Sequence, residues 1–212
     1  MLRRTSLLLF IAATVAPAVI IDRIAIVVGN SIIKDSDIER DIRVTAFLNG
    51  SSIDLSNASR KKASSRLIDQ IFIRREIELG NYPITSMQTA DQELQKLKSE
   101  RYKTDRTFRE KLREYDLSEL DLRTQFQWQL TVLQFIDLRF RPAVLVSDDE
   151  IQKYYQSHSA VLQRSHPEES KQELRDEART IVTGEKVNEQ FFAWLDEQRH
   201  DARIQFLEES LG

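Results

Sequence analysis

Apolar and polar residues alternate near the beginning of the sequence, and this period of two is typical of a strand. Ile24, Ile26 and Val28 share one face of that predicted strand. Gly29-Asn30 can adopt the positive φ values that a two-residue hairpin turn needs, so a second short strand is expected to follow. The stretch as a whole reads IDRIAIVVGNSIIKDSDIER and is predicted to form a hairpin that leads into a helix.

Helical spacing replaces the alternation from that point. Ser36 with Glu39 fits a capping box, which predicts a helix that begins near Asp37 and ends at Asn49-Gly50. Similar spacing and end signals predict the other helices, which are expected at Asn57 to Leu79, after Thr89, around Phe108 and Leu112, from Ser118 to about Phe140, after Ser147, and up to about His200. The starts at Ser118 and Ser147 are indicated by capping boxes with Asp121 and Glu150.

The predicted helix from Ser118 to about Phe140 is apolar on two faces. One stripe consists of Phe126, Leu130, Leu133 and Phe140, and the other consists of Trp128, Val132 and Phe135. Such a helix is either central to the core or lends one face to a partner. Apolar helical stripes are more often core, so the central position is favoured.

The alternating pattern returns after the last predicted helix, where Ile204 and Phe206 share one face. A lone hairpin is marginal in water, so this segment is predicted to pair with the first strand as a third strand. Only five glycines and four prolines occur, which argues against a sandwich, a barrel or a disordered chain. The expected fold is mainly α, a helical core with a small antiparallel sheet formed by an N-terminal hairpin and a C-terminal strand.

The first residues are typical of an export signal. Arg3 and Arg4 precede a short apolar run, and Ala16-Pro17-Ala18 supplies the small residues that a signal peptidase reads. Residues 1–18 are therefore predicted to be a signal peptide cleaved after Ala18, with a retained membrane anchor as the alternative. The sequence contains no cysteine, so neither a disulfide nor a lipid-bearing thiol is available.

The charge balance argues against a nucleic-acid partner. The sequence has 31 Lys and Arg against 34 Asp and Glu, and loss of residues 1–18 would remove two arginines and no acid. The remaining chain would carry a net charge of about −5. Nucleic acids favour basic surfaces, and no dense Lys/Arg stripe with interleaved aromatics occurs.

No pattern in the sequence indicates an active site. Cysteine nucleophiles are excluded by composition, and the common serine-hydrolase, phosphate-loop, dinucleotide and zinc-protease motifs are missing. His158, His166 and His200 are the only histidines, and their spacing does not suit a metal site. The protein is therefore expected to use no cofactor and no metal, and it is not expected to be an enzyme.

Several of these segments together resemble the SurA chaperone family. The resemblance rests on the opening stretch quoted above, on the helix from Arg66 to Gly80, and on the segments VSDDEIQKYY and VNEQFFAWLDEQRHDARIQFL, which occur in the order that this family uses. It spans residues 19–212, which are interpreted as one chaperone domain. In that domain, a helical part at 19–157 packs with a C-terminal helix and strand at 168–212.

The sequence departs from this family in the interval between the last two helices. SurA relatives usually insert one or two prolyl isomerase domains there, each of roughly 100 residues, but this sequence offers only a polar stretch, Ser157 to Ser170. The resemblance therefore implies the chaperone core without the isomerase.

The function implied by the resemblance is that of an ATP-independent periplasmic chaperone. It would bind unfolded or outer-membrane-bound polypeptides and assist outer-membrane protein assembly. The alternatives are a non-catalytic adaptor or structural subunit of an envelope complex, and an isomerase relative that has lost activity. Six apolar residues are predicted to contact clients: Ile38, Ile42, Phe47, Trp128, Val132 and Phe135.

Overall fold

The computed structural model describes residues 22–208 and residue 211, so the predicted signal peptide at 1–18 lies outside the described residues. Within them the fold is mainly α, as predicted. The strands are β1 (Ile24–Val28), β2 (Ser31–Lys34) and β3 (Ile204–Phe206). The helices are α1 (Asp35–Asn49), α2 (Asn57–Leu79), α3 (Met87–Arg101), α4 (Asp105–Glu114), α5 (Glu119–Phe140), α6 (Asp148–Ser165) and α7 (Lys171–Asp201), with a 3₁₀ turn at Arg141–Ala143.

The three strands form one antiparallel sheet in the order β2-β1-β3. Gly29 has a φ of 57° in the turn between β1 and β2, a conformation that glycine adopts without steric cost. On the other side of β1, Ile26 lies opposite Phe206 and Val28 lies opposite Ile204. The predicted closure of the sheet by a C-terminal strand is therefore confirmed.

A β-bulge changes the face that one residue of β1 presents. The pairing of β1 with β2 shifts register between Ile24 and Ile26. Ala25 and Ile26 are consequently both buried, at 1% and 0% exposure, whereas Ile24 is 43% exposed. Strict alternation placed Ile24 beside Ile26, and the extra residue of the bulge is the reason that this expectation is wrong.

Helix α1 begins two residues before its predicted start. The backbone N–H of Lys34 donates to Asp37 Oδ2 at 3.0 Å, so Asp37 caps the helix. Ser36 instead donates through Oγ to Asp22 Oδ2 at 2.6 Å. The helix ends as predicted, with Gly50 in the left-handed conformation at a φ of 65°.

Helices α5 and α6 begin at the predicted capping boxes. The N–H of Ser118 donates to Asp121 Oδ2 at 2.8 Å, and the N–H of Ser147 donates to Glu150 Oε2 at 2.9 Å. Helix α6 continues to Ser165 and so includes much of the stretch interpreted as a polar interval.

Three apolar clusters hold the helices together. The main cluster joins the sheet to α1, α2, α5 and α7, a second joins α1 to α3, α4 and α5, and a third joins α6 to the first half of α7. Gly184 lies in α7 between the residues of the third cluster and those of the main cluster, and a Cβ there would meet no atom within 4 Å. The proposed packing of 19–157 with 168–212 as one domain stays a prediction.

The segment after β3 returns to the body of the protein. Arg60 donates through Nη2 to Asp35 Oδ1 at 2.9 Å and to Glu208 Oε2 at 2.8 Å, which links the start of α1 to the residues that follow β3. Leu211 is 4% exposed and belongs to the main cluster. No helix within residues 22–208 combines the length and the apolar character needed to cross a membrane.

Candidate functional site

A groove runs along α5, between this helix and α2, and reaches α1 and β2 at one end. Three adjoining cavities of about 360, 480 and 560 Å³ make up the groove, and Trp128 lines all three. We call this surface the Trp128 groove. Its size suits several side chains of an extended segment, since single small-molecule sites occupy roughly 300–1,000 Å³.

Large apolar side chains border the Trp128 groove and face solvent. Leu120 and Leu133 of α5 are 60% and 64% exposed, Ile84 of the α2–α3 loop is 67% exposed, and Ile32 of β2 is 48% exposed. Each one lines one of the three cavities. Exposed apolar residues gathered around one concave surface mark an interaction site more often than scattered ones do.

The inner face of α5 fixes the outer face in position. Leu122 and Phe135 are fully buried, and the ring of Phe135 makes edge contacts with Tyr82 at 5.1 Å and Phe140 at 5.8 Å between centroids. Because these contacts set the rotation of the helix, Trp128 is directed toward α2 and the groove.

A cation lies over the central ring of the groove. The guanidinium carbon of Arg74 is 3.9 Å from the centroid of the Trp128 ring. Among the described residues, no carboxylate is within ion-pairing distance of Arg74. Desolvation beside the indole lowers the pKa of Arg74.

Two ion pairs lie at the α1 end of the groove. Asp41 pairs with Arg66, and Arg40 Nε lies 3.5 Å from Asp121 Oδ1. Burial raises the pKa of the Asp41 carboxyl, and the hydrogen bond from Arg66 opposes that rise. These pairs let polar groups line an otherwise apolar groove.

Hydrogen bonds hold the α2–α3 loop against α5. The N–H of Thr85 donates to Thr131 Oγ1 at 3.1 Å, and Gln127 Nε2 donates to the carbonyl of Thr85 at 2.9 Å. The neighbouring Ile84 is thereby kept at the mouth of the second cavity.

The structure separates the six residues predicted to contact clients. Ile38, Ile42 and Phe135 lie in the main cluster and Phe47 lies in the second cluster, and none is more than 6% exposed. Only Trp128 and Val132 are partly exposed, and both line the groove. In this conformation the four interior residues cannot touch a partner, so a binding role remains a prediction for Trp128 and Val132.

Sequence reasoning missed most of the groove's border. Leu133 was assigned to the core stripe of α5, although it is 64% exposed. Ile84 had a usable signal, because a large apolar residue directly after Pro83 in a polar loop has no helical or strand face to occupy. No feature of the sequence indicates that Arg74 lies in the groove.

Metal-binding and catalytic clusters were not expected. Residues 22–208 contain no group of three or more His, Asp or Glu side chains arranged to hold a metal ion. His158 stacks on Tyr154 with centroids 4.1 Å apart, and His166 Nδ1 lies 3.3 Å from Glu169 Oε1. Both contacts are local surface contacts of α6 and the loop that follows it.

The fold is similar to a solved structure from the human pathogen Campylobacter jejuni. That structure belongs to work on the virulence factor PEB4 and the periplasmic protein Cj1289, described as two structurally related SurA-like chaperones. The TM-score is 0.53 and the identity is 13%, over 87% of this chain and 99% of the other. At that identity the likeness concerns the fold alone. No protein-family model matches the sequence, and no curated protein matches it.

Proposed function

We propose that this protein is an ATP-independent chaperone that binds unfolded polypeptide segments in the Trp128 groove. The observation that carries the proposal is the meeting of three cavities at Trp128, bordered by exposed Leu120, Leu133, Ile84 and Ile32. A groove of this kind buries apolar side chains of an extended segment, while the polar groups of that segment stay hydrated at its rim.

Weak and numerous contacts are what such a role needs. Each apolar side chain that enters the groove contributes on the order of 1.5–3 kcal/mol if it is fully buried, and less if it is partly buried. Several such contacts hold a client, and the loss of each contact in turn releases it without an energy source.

Two observations support a proposed location in the periplasm. The fold likeness to SurA-like chaperones, one of them a named periplasmic protein, supports a chaperone of the periplasm. The predicted signal peptide at 1–18 agrees with that compartment. Unfolded outer-membrane proteins are the proposed clients, because their strands carry apolar side chains at every second residue and need shielding before assembly.

The same groove fits a second function, that of an adaptor for one fixed partner. Apolar residues at the rim and a single cation on Trp128 are compatible with one well-matched ligand. The two functions differ in selectivity, since a chaperone binds many unfolded segments weakly and an adaptor binds one folded partner tightly. In neither function does the protein catalyse prolyl isomerisation.

An aggregation assay tests the chaperone function. An unfolded outer-membrane barrel protein is diluted from denaturant with and without the purified protein, in the absence of nucleotide. We expect suppression of light scattering at near-stoichiometric ratios. The double variant Leu120→Ser/Leu133→Ser removes two exposed leucines of the groove and is expected to lose most of that suppression.

The matched control also removes two exposed leucines, but outside the groove. Leu79 and Leu145 are 72% and 86% exposed and line none of its cavities. Leu79→Ser/Leu145→Ser should therefore suppress aggregation like the unaltered protein. No suppression by the unaltered protein, or equal loss in both double variants, would contradict the proposal.

A further inference from the structure

Strand β3 forms one edge of the sheet and bonds to β1 through alternate residues. The N–H of Gly29 donates to the carbonyl of Arg203 at 3.0 Å, and the N–H of Leu207 donates to the carbonyl of Ala25 at 2.8 Å. In an antiparallel pair, the residues that bond to the partner strand alternate with residues whose backbone groups point the other way.

This alternation directs the backbone of Ile204 and Phe206 away from β1. Both residues lie between the bonded positions, opposite Val28 and Ile26. Their N–H and C=O groups have no hydrogen-bond partner within the residues that the structure describes. Two donors and two acceptors at strand spacing are therefore open to another extended backbone.

Ile204 packs against the main cluster, but the Phe206 side chain at this edge is only partly covered. Phe206 shares a sheet face with Ile26, yet Phe206 is 41% exposed whereas Ile26 is 0% exposed. The difference arises because β1 has strands on both sides and β3 has a strand on one side only. Leu207 at the end of β3 is 59% exposed.

Three of the devices that usually protect an edge strand are missing at β3, although the strand is short. Lysine, proline or a bulge at an edge prevents further pairing. The sequence IQF of β3 has neither lysine nor proline, and the register shift of the sheet lies between β1 and β2. The opposite edge is less suitable, since only Ile32 of β2 turns its backbone outward between the residues paired with β1.

We propose that the β3 edge binds an extended client segment by adding it to the sheet as a fourth strand. The segment carries apolar side chains at every second residue, so that one of its faces continues the row formed by Ile26 and Phe206. This inference rests on the proposed function and adds to it a contact made through backbone hydrogen bonds between β3 and the client. Backbone hydrogen bonds do not depend on sequence, so this contact suits varied clients.

A second copy of the chain is the less suitable occupant of this edge. β3 has three residues, so pairing of two β3 edges buries far less than the roughly 1,000 Å² that a stable interface needs. A client segment needs no such area from this edge alone, because the Trp128 groove supplies further contacts.

The test uses an octapeptide of alternating valine and threonine with a terminal fluorophore, together with its fully N-methylated form. Anisotropy gives their affinities, and amide hydrogen exchange reports the affected residues. We expect the unmethylated peptide to bind more tightly and to protect the amides of Ile204 and Phe206 from exchange. The amide of Ile32 should stay unprotected.

Two variants isolate one hydrogen bond. Phe206→Ala and Phe206→Pro both remove the ring, but only the proline removes the outward N–H, which β1 does not use. We expect Phe206→Pro to bind the peptide about fivefold more weakly than Phe206→Ala, as for one net hydrogen bond. Thermal melts of both variants report whether the sheet is retained.

The outcomes separate this inference from the proposed function. Equal affinities for the two peptides, or no binding of either, would overturn the edge proposal. Suppression of aggregation that depends on Leu120 and Leu133 would in those cases leave the chaperone function standing. Absence of both peptide binding and suppression would overturn the two together.

Discussion

The guanidinium carbon of Arg74 lies over the Trp128 ring, 3.9 Å from its centroid, and this ring lines all three cavities of the groove. Any side chain that enters one of the three cavities would therefore change the surroundings of this ring.

Tryptophan fluorescence is expected to report binding in the groove. The sequence has two tryptophans, and Trp194 is partly buried against the main cluster near Phe135 and Phe140, at 5.9 and 5.8 Å between centroids. In Trp194→Phe we expect the emission to shift when an unfolded segment is added, because water around Trp128 is displaced. In Trp128→Phe the emission should not respond, and a response there would place binding elsewhere.

Replacement of Gly184 by alanine is expected to stabilise the protein. An alanine Cβ meets no atom within 4 Å at this helical position, and alanine favours a helix interior over glycine by about 0.5–1 kcal/mol. Gly50→Ala is expected to have the opposite effect on stability, because the backbone φ of 65° at this position is strained for any residue with a side chain. Urea denaturation should show a rise for Gly184→Ala and a fall for Gly50→Ala, and a fall for both would show that α7 needs glycine.

Leu211 is expected to anchor the segment after β3. It is 4% exposed within the main cluster, so Leu211→Ala should lower the free energy of unfolding by about 2–5 kcal/mol. Leu207→Ala provides the control, since Leu207 is 59% exposed and its loss should change stability by less than about 0.5 kcal/mol. Equal effects of the two substitutions in chemical denaturation would contradict this packing.

The contact between α6 and α7 is expected to weaken in acid. Hydrogen bonds from Lys186, and then from the N–H and hydroxyl of Ser147, lower the pKa of Glu150 to about 2 from its ordinary 4.5. Since the folded pKa is the lower one, ionised Glu150 stabilises the fold above its ordinary pKa, and this stabilisation is lost as the pH falls from about 4.5 to about 2.

The substitution Glu150→Gln tests this pH dependence. It should destabilise the protein at neutral pH, and the difference should shrink as the pH falls from about 4.5 toward 2, as measured by denaturation at a series of pH values. Glu189→Gln is the control, because Glu189 lies exposed on α7 with no ion pair among the described residues. A pH-independent difference between Glu150→Gln and the unaltered protein would refute the role of this carboxylate.

Most features predicted well from the sequence are determined by neighbouring residues, although the capping box expected at Ser36 and Glu39 is replaced by one at Asp37. The capping boxes at Ser118 and Ser147 were found because both partners lie within four residues of each other. The closure by β3 was also found, because alternation of Ile204 and Phe206 has no explanation in a solvated tail.

The features predicted poorly depend on distant parts of the chain. Leu133 and Phe135 are two residues apart on one apolar helix, yet they are 64% and 0% exposed. Which of them is covered depends on where Tyr82 and Trp194 pack, and the periodicity of α5 contains no information about that. The groove border was missed for the same reason.

The pairing of Ile26 with Phe206 also dictates an order of events during synthesis. Strand β1 leaves the ribosome long before β3, since helices α1 to α7 lie between them in the sequence. Until β3 arrives, one side of β1 has no partner strand, and its backbone is open to wrong pairing. Such long-range closure slows folding and prolongs the exposure of an incomplete sheet. During that interval the first strand of this protein is itself unshielded.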